Sequence, residues 1–408
     1  MAIKDDELKV ILGGVDPLRV QEAYQNVNGL LAGDLQTHLN SGYLQPNAED
    51  LRVQEERINS FLQSGKLAIV VPMRERGPVI RPLLNTLIKE RHVALGTILV
   101  VNDGSDKAAL DEVRQHNSNV HLVSRDEVLD VLKWDKLLRI LNLRERPRGK
   151  GVAVLAGYLS QYIWARRNDR HPLWLGQNDA EIAQFDRYQC WEHLGYGIVT
   201  RPGAQYVKMA KFGRTNERCM AARWMLLVFA QAESVAPEIQ RRAEEMAYRL
   251  GRHKWMLTGE FALRWELAMD RPFATGYLEE TLTSLFSEDY CAQWCPEGDG
   301  VVQVANPNPR LDAANDERKE AIMQQQISNF ILSVALGETL PIDQWGIETI
   351  KRLNHTIMAD PIVMGWIPLD EGSVKAEVAP NNRLIPSITM LDRAKLIDWE
   401  NAKNLSAP

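Results

Sequence analysis

The sequence predicts an α/β protein built on a mostly parallel, doubly wound sheet flanked by helices. Two segments, the continuous apolar run Leu67 to Met73 and the segment Gly96 to Asp106, which ends in an Asn-Asp-Gly-Ser turn, have the composition of strands buried on both faces. Each run is followed by a segment of helical periodicity, and a third strand is predicted at Val120 to Ser124. This βαβαβ alternation indicates parallel strands, and ligands of such sheets bind beyond the carboxyl ends of the strands.

Polarity and periodicity divide the chain into three parts. Residues 1–64 are polar and helix-periodic without a recognisable strand, which predicts a helical N-terminal extension. Residues 65–312 contain the predicted sheet and the candidate site. For residues 313–408 we predict a long helix followed by a C-terminal arm. The arm is expected to be irregular because the end of the chain is rich in Pro and Asn.

Bulk composition excludes several classes of function. A net charge of -6 disfavours a general nucleic-acid-binding protein, because no global positive field attracts phosphate backbones. The most apolar helical run, Met220 to Ala232, is well short of the about 20 apolar residues that span a membrane. The N-terminus has no signal-peptide pattern, and the four cysteines lack the spacing of a zinc site. We therefore expect a soluble, cytoplasmic protein with reduced thiols.

Two turns carry the residue types of a diphosphate site. The RPRGKG turn, Arg146 to Gly151, opens a predicted helix, so its glycines, Lys150 and the helix N-terminus can all approach a phosphate. An apolar strand, Leu173 to Asp179, ends in Asp179 and is followed by Glu181, whose carboxylates suit a hard cation such as Mg²⁺ or Mn²⁺. Each pattern alone also fits an ordinary loop. The hypothesis therefore depends on the two turns facing one cleft.

Four motifs in order resemble a known family. They are IVVPMRERGPVI, VVNDGSDK, RPRGKGVAVLAG and the long segment LTGEFALRWELAMDRPFATGYLEETLTSLF, Leu257 to Phe286. Together they resemble the glucosyl-3-phosphoglycerate synthases, retaining glycosyltransferases of the GT-A fold, and the related mannosyl-3-phosphoglycerate and mannosylglycerate synthases. The likeness runs from about Leu67 to about Gln325.

The resemblance implies roles for individual residues. It places the donor nucleotide and sugar near Pro72, Glu75, Asp103, Ser105, Lys150, Asn178, Gly259 and Glu260. It places the acceptor near Gly213, Arg214, Asn216 and Asn308. It assigns catalytic roles to Lys150, Asp179 and Glu280, with Glu279 as the alternative to Glu280. The implied metal ligands are Asp179, Glu181 and Asn306, the last standing where the family has a histidine.

The resemblance implies a GT-A fold and transfer of glucose or mannose from a UDP or GDP sugar to a small anionic acceptor, foremost 3-phosphoglycerate. It also implies a homodimer. Two other interpretations stay open at this stage. One is a divergent protein that binds a nucleotide sugar with weak or no transfer, because the metal motif and the histidine differ from the family pattern. The other is a sugar-phosphate nucleotidyltransferase, which shares this kind of sheet.

Overall fold

A mostly parallel sheet of eight strands organises the part of the chain that the structure describes. The structure is a computed structural model that describes residues 42–74, 79–90, 94, 97–116, 120–141, 143, 145–211, 223, 226–228, 230–233, 235–253, 258–275, 278–294, 300–308, 347–348, 350–351 and 383–405. Helices cover both faces of the sheet. The prediction of a mostly parallel sheet flanked by helices is confirmed.

The ten strands of the described residues form two sheets. They are β1 Tyr43–Leu44, β2 Leu67–Met73, β3 Ile98–Asn102, β4 Val120–Ser124, β5 Trp174–Gln177, β6 Tyr206–Lys211, β7 Phe261–Arg264, β8 Phe273–Ala274, β9 Val301–Asn306 and β10 Leu384–Ile385. The large sheet has the order β1-β9-β6-β7-β5-β2-β3-β4, and β8 pairs with β10 in a small separate sheet. Only β7 runs antiparallel to its neighbours in the large sheet.

The helices of the described residues lie between and after these strands. They are α1 Ala48–Gln63, α2 Arg81–Leu84 with its π-helical continuation Asn85–Glu90, α3 Lys107–Arg114, α4 Arg125–Leu129, α5 Trp134–Leu141, α6 Lys150–Asn168, α7 Phe185–Tyr188, α8 Cys190–Thr200, α9 Pro237–Gly251, α10 Trp265–Asp270, α11 Leu278–Trp294, α12 Ile388–Arg393 and α13 Trp399–Ala402. None of the helices in these ranges is long and apolar enough to cross a bilayer.

The strand order places a switch point between β2 and β5. The chain runs outward from β2 through β3 to β4, and β5 then returns to the other side of β2. At such a reversal the two strand ends diverge and leave a crevice beyond their carboxyl ends. The long helix α6 leads into β5, so its N-terminus lies at this same edge of the sheet. The topology therefore predicts a ligand site at the ends of β2 and β5.

Several strands differ from the sequence-based expectation. The N-terminal extension does contain a strand, because β1 pairs with β9 at the edge of the large sheet. The segment Phe261 to Met269, which has a mixed pattern, is β7 followed directly by α10. The described part of the predicted C-terminal arm, residues 383–405, is regular, since β10 pairs with β8 and buries both of its residues. The long helix predicted at Asp316 to Leu336 lies outside the described residues.

A buried ion pair joins the chain after α10 to the start of α11. Arg271 Nη1 lies 2.5 Å from Glu279 Oε1, and both side chains are fully buried. The other carboxylate oxygen of Glu279 accepts a hydrogen bond of 2.9 Å from the backbone N–H of Ala274. The guanidinium also lies over the ring of Phe273, 4.4 Å from its centroid. This pair therefore sets where the first turn of α11 begins.

We expect Arg271→Leu to lower the free energy of unfolding by about 3–5 kcal/mol, because it leaves the Glu279 carboxylate buried without its counter-charge. Urea denaturation measures the change. Arg241→Leu is the matched control, because Arg241 makes only exposed ion pairs on α9 and its loss should change stability by less than about 1 kcal/mol. Equal losses in the two variants would contradict the structural role of Arg271.

Candidate active site

Three charged side chains from distant parts of the sequence meet at the switch point. Lys150 Nζ lies 2.5 Å from Asp179 Oδ1 and 2.5 Å from Glu280 Oε1. Lys150 is the first residue of α6, Asp179 lies in the turn after β5, and Glu280 lies in the first turn of α11. Their side chains are 23%, 11% and 12% exposed, so the cluster is sheltered but reachable from solvent. The predicted convergence of the Lys150 and Asp179 turns is confirmed.

Close backbone packing fixes the position of Lys150. A Cβ atom at Gly151, the next residue, would lie 1.6 Å from the carbonyl oxygen of Ala274 in β8 and 3.2 Å from Cβ of Glu279. Only a glycine allows this approach. The start of α6 is therefore pressed against the start of α11, which brings Lys150 within reach of Glu280.

The antiparallel strand β7 brings a second glycine to Asp179. Gln177 pairs with Phe261, so the same register carried past the strand ends places Asp179 opposite Gly259. A Cβ atom at Gly259 would lie 2.2 Å from Asp179 Oδ2. The absence of a side chain at Gly259 is therefore what lets the carboxylate lie where Lys150 reaches it.

Opposite charges keep Lys150 protonated despite its burial. Desolvation by itself would lower the pKa of Lys150, but the charges of Asp179 and Glu280 and their hydrogen bonds outweigh it and raise this pKa above its ordinary value. The lysine is thus a permanent cation at neutral pH. It cannot act as a proton acceptor there, but it can stabilise an anion.

The two adjacent glutamates at the start of α11 have different surroundings. Glu280 faces Lys150 at the candidate site, whereas Glu279 faces Arg271 in the interior. Desolvation raises the pKa of Glu279, although its bonds to Arg271 and Ala274 oppose the shift. Of the two alternatives, Glu280 is the one beside Lys150 and Glu279 is paired with Arg271 in the interior, and the catalytic role stays a prediction.

The predicted nucleoside contacts lie along the ends of β2 and β3. Asp103 is buried and forms an ion pair with Arg125 at the start of α4, a partner that the sequence analysis did not identify. Ser105 Oγ donates a hydrogen bond of 3.0 Å to the carbonyl of Met73, which ties the two strand ends together. Pro72 is the penultimate residue of β2. Glu75 lies outside the described residues, and all these nucleoside roles stay predictions.

The side chains of two predicted cofactor-binding residues are bonded inside the protein. Asn178 Oδ1 accepts a hydrogen bond of 3.1 Å from Trp191 Nε1, and its Nδ2 donates at 2.8 Å to the carbonyl of Asp179. Glu260 is buried, and its Oε2 accepts a bond of 3.3 Å from Thr258 Oγ1. Both residues flank the Asp179–Gly259 contact, so their observed bonds brace the turn that carries Asp179.

The predicted metal ligands do not form a metal site as they are placed. Asn306 is buried, its Nδ2 donates at 2.6 Å to the carbonyl of Tyr188, and its Oδ1 accepts at 2.9 Å from the N–H of Asn308. Glu181 is partly exposed in the turn after β5. Oδ1 of Asp179 is bonded to Lys150. Within the described ranges, no group of three or more His, Cys, Asp or Glu side chains could hold a metal ion.

The predicted acceptor residues are only partly within the described ranges. Gly213, Arg214 and Asn216 lie outside them. Asn308 is described, and its Nδ2 donates a hydrogen bond of 3.3 Å to Gln189 Oε1. It follows the end of β9, at the same sheet edge as the ends of β5 and β6. Its role in binding an acceptor stays a prediction.

Comparisons with known proteins give structural neighbours only. No family model matches the sequence, and no curated protein matches it. The chain is similar to solved structures of glucosyl-3-phosphoglycerate synthase from Mycobacterium tuberculosis. The complex with Mn²⁺, uridine-diphosphate-glucose and phosphoglyceric acid is 18% identical, with a TM-score of 0.48 over 69% of this chain and 83% of that chain.

Two further structures of the same enzyme give similar values. The complex with Mn²⁺ and uridine-diphosphate-glucose is 18% identical, with a TM-score of 0.49 over 72% of this chain and 86% of that chain. The complex with Mg²⁺ and uridine-diphosphate is 17% identical, with a TM-score of 0.48 over 71% and 85%. At identities this low, a similar fold does not carry a substrate from one protein to another.

We expect Glu280→Gln and Glu279→Gln to affect different properties. Glu280→Gln should lower the rate of the reaction proposed below roughly 10- to 100-fold with little loss of stability, because it weakens a charge-assisted hydrogen bond at the site. Glu279→Gln should instead lower the denaturation midpoint, because it removes the charge that Arg271 needs. Steady-state kinetics and urea melts on both variants check the assignment, and the reverse pattern would exchange the two roles.

We expect Gly259→Ala to lower activity roughly 100-fold, because the new methyl group must displace the Asp179 carboxylate that it would otherwise overlap. Gly203→Ala is the matched control, since no atom of the residues that the structure describes lies within 4 Å of a Cβ at Gly203. Kinetics and circular dichroism on both variants make the comparison. Full activity in Gly259→Ala would show that the position of Asp179 is unimportant.

Proposed function

We propose that this chain is a hexosyltransferase, which moves glucose or mannose from a nucleoside diphosphate sugar to a small anionic acceptor. The observation that carries the proposal is the contact of Lys150 with both Asp179 and Glu280 at the switch point of the sheet. A cation and two carboxylates in a sheltered crevice match the two needs of such a reaction. The cation stabilises the departing diphosphate, and the carboxylates accept hydrogen bonds from sugar and acceptor hydroxyls.

The chemistry requires one bond to break and one to form. The bond between the anomeric carbon and the diphosphate oxygen breaks, and the acceptor hydroxyl oxygen bonds to the same carbon. The acceptor proton passes to the departing diphosphate, so that no side-chain nucleophile is needed when both events occur on one face of the sugar. Lys150 contributes by opposing the negative charge that develops on the diphosphate. Each such contact at 4 Å is worth about 4 kcal/mol at an effective dielectric constant near 20.

The finer assignments follow from the sequence resemblance. They are a UDP or GDP sugar as donor, 3-phosphoglycerate as the foremost acceptor, and retention of the anomeric configuration. The cytoplasmic location and the homodimer are likewise predictions. The expected Mg²⁺ or Mn²⁺ does not fit the ligands Asp179, Glu181 and Asn306 as they are placed. Both Oδ1 and Nδ2 of Asn306 are hydrogen-bonded within the protein, and Oδ1 of Asp179 is bonded to Lys150. No step of the reaction above is therefore assigned to a metal ion.

The proposal is tested by incubating the protein with UDP and GDP sugars, with and without 3-phosphoglycerate. We expect release of UDP or GDP that depends on the acceptor. Mg²⁺ and Mn²⁺ are both included, so that the result does not depend on a metal requirement. Lys150→Ala should reduce the rate by about 100- to 1,000-fold, because it removes a cation aimed at the developing charge.

Lys107→Ala is the matched control for this assay, because Lys107 is exposed and, among the described residues, pairs only with Asp111 on its own helix. Its rate should equal that of the native chain. Calorimetry with UDP and GDP separates the alternatives. Binding of UDP or GDP without turnover of any sugar nucleotide would overturn transfer in favour of a binding protein, and release of pyrophosphate from a nucleoside triphosphate and a sugar phosphate would indicate a nucleotidyltransferase.

A further inference from the structure

The ammonium of Lys150 occupies the position of a metal ion between two carboxylates. Its nitrogen lies 2.5 Å from one oxygen of Asp179 and 2.5 Å from one oxygen of Glu280. Carboxylate oxygens bind hard divalent cations at about 2.0–2.6 Å. A cation placed at this point would therefore contact the same two oxygens at nearly the same distances. The lysine and a divalent ion compete for one place.

Lys150 has an advantage over a dissolved metal ion in this competition, because its ammonium is covalently attached to the chain. Gly149, the N-cap residue of α6, has φ 101, and Gly151 is packed against the carbonyl of Ala274, so the backbone on both sides of Lys150 is fixed. A metal ion would have to enter from solution and displace a cation that is already bonded to both carboxylates. Replacing two charge-assisted hydrogen bonds in a sheltered site opposes that exchange.

A single ammonium carries one charge less than a divalent ion, and the start of α6 makes up part of the difference. The N-cap residue Gly149 has no side chain to cap the first turn of this 19-residue helix, although its carbonyl accepts a hydrogen bond of 3.0 Å from the amide of Val152. A helix N-terminus adds about half a positive charge. An ammonium also has three N–H donors, and two of them are used by Asp179 and Glu280. The third has no partner among the described residues and can donate to a phosphate oxygen.

We propose that Lys150 is a tethered cation that takes the place of a divalent metal ion between Asp179 and Glu280, and that the chain binds a nucleoside diphosphate without added metal. This inference rests on the proposed function for the identity of the ligand. The occupied cation position itself does not depend on that function. Removing the ammonium but keeping the chain length should therefore open a metal site.

The deciding experiment is a calorimetric titration with Mn²⁺ alone, which requires no turnover. The native chain should show no saturable binding. Lys150→Met should bind Mn²⁺ saturably and at least about tenfold more tightly, because two facing carboxylates then lack a counter-ion. Lys150→Arg retains a positive charge and should resemble the native chain. Lys107→Met is the matched control, because it removes an exposed lysine beside a carboxylate without opening a two-carboxylate position.

The assignment of the new site is checked by Lys150→Met combined with Asp179→Asn, which should lose the gained Mn²⁺ affinity. Circular dichroism establishes that each variant is folded. In a second experiment, UDP and GDP are titrated into the native chain, once in EDTA and once in Mn²⁺. For each nucleotide, the dissociation constants in the two solutions should agree within about threefold.

Saturable Mn²⁺ binding by the native chain, or a folded Lys150→Met variant that gains none, would overturn the inference. A failure of the proposed function has a different signature. In that case no sugar nucleotide is turned over, but the Mn²⁺ titrations still decide whether Lys150 fills a metal position.

Discussion

The arrangement of the candidate site depends on one ammonium held between two carboxylates. Asp179 and Glu280 carry like charges and would repel each other across the crevice if Lys150 were absent. With Lys150 between them, the end of β5, the start of α6 and the start of α11 are joined by charge. The same contact keeps the lysine protonated, because both carboxylates favour its charged form. The contact with the two carboxylates therefore explains both the position of the Lys150 side chain and its positive charge.

A second cation holds the same turn of α11 from its other side. Arg271 binds Glu279 in the interior, and Lys150 binds the adjacent Glu280 at the crevice. Acidic residues in a first helical turn are also stabilised by the helix dipole. Two neighbouring glutamates thus face different cations, one in the interior and one at the crevice. The first turn of α11 is therefore held by ion pairs on two sides.

The antiparallel strand β7 gives the site its close packing. It lies between β5 and β6, and its register places Gly259 against the carboxylate of Asp179. The buried side chains of Asn178 and Glu260 brace the two chains on either side of this contact. A crevice at a switch point is a general property of such sheets. The close approach of Gly259 to Asp179 at this crevice comes from the one reversed strand.

The local sequence pattern alone predicted the strands β2, β3, β4 and β5 and the parallel sheet that they form. It also predicted the two turns that carry Lys150 and Asp179. Apolar runs and glycine turns can be recognised from short stretches of sequence, because each involves residues close together in the chain. The resemblance added Glu280 and Gly259. Only the tertiary structure reveals that Glu279 pairs with Arg271 and Glu280 with Lys150, and that Arg125 is the partner of Asp103. These outcomes depend on pairs of residues far apart in sequence. Their distances are set by strand register and helix packing, which no local pattern encodes.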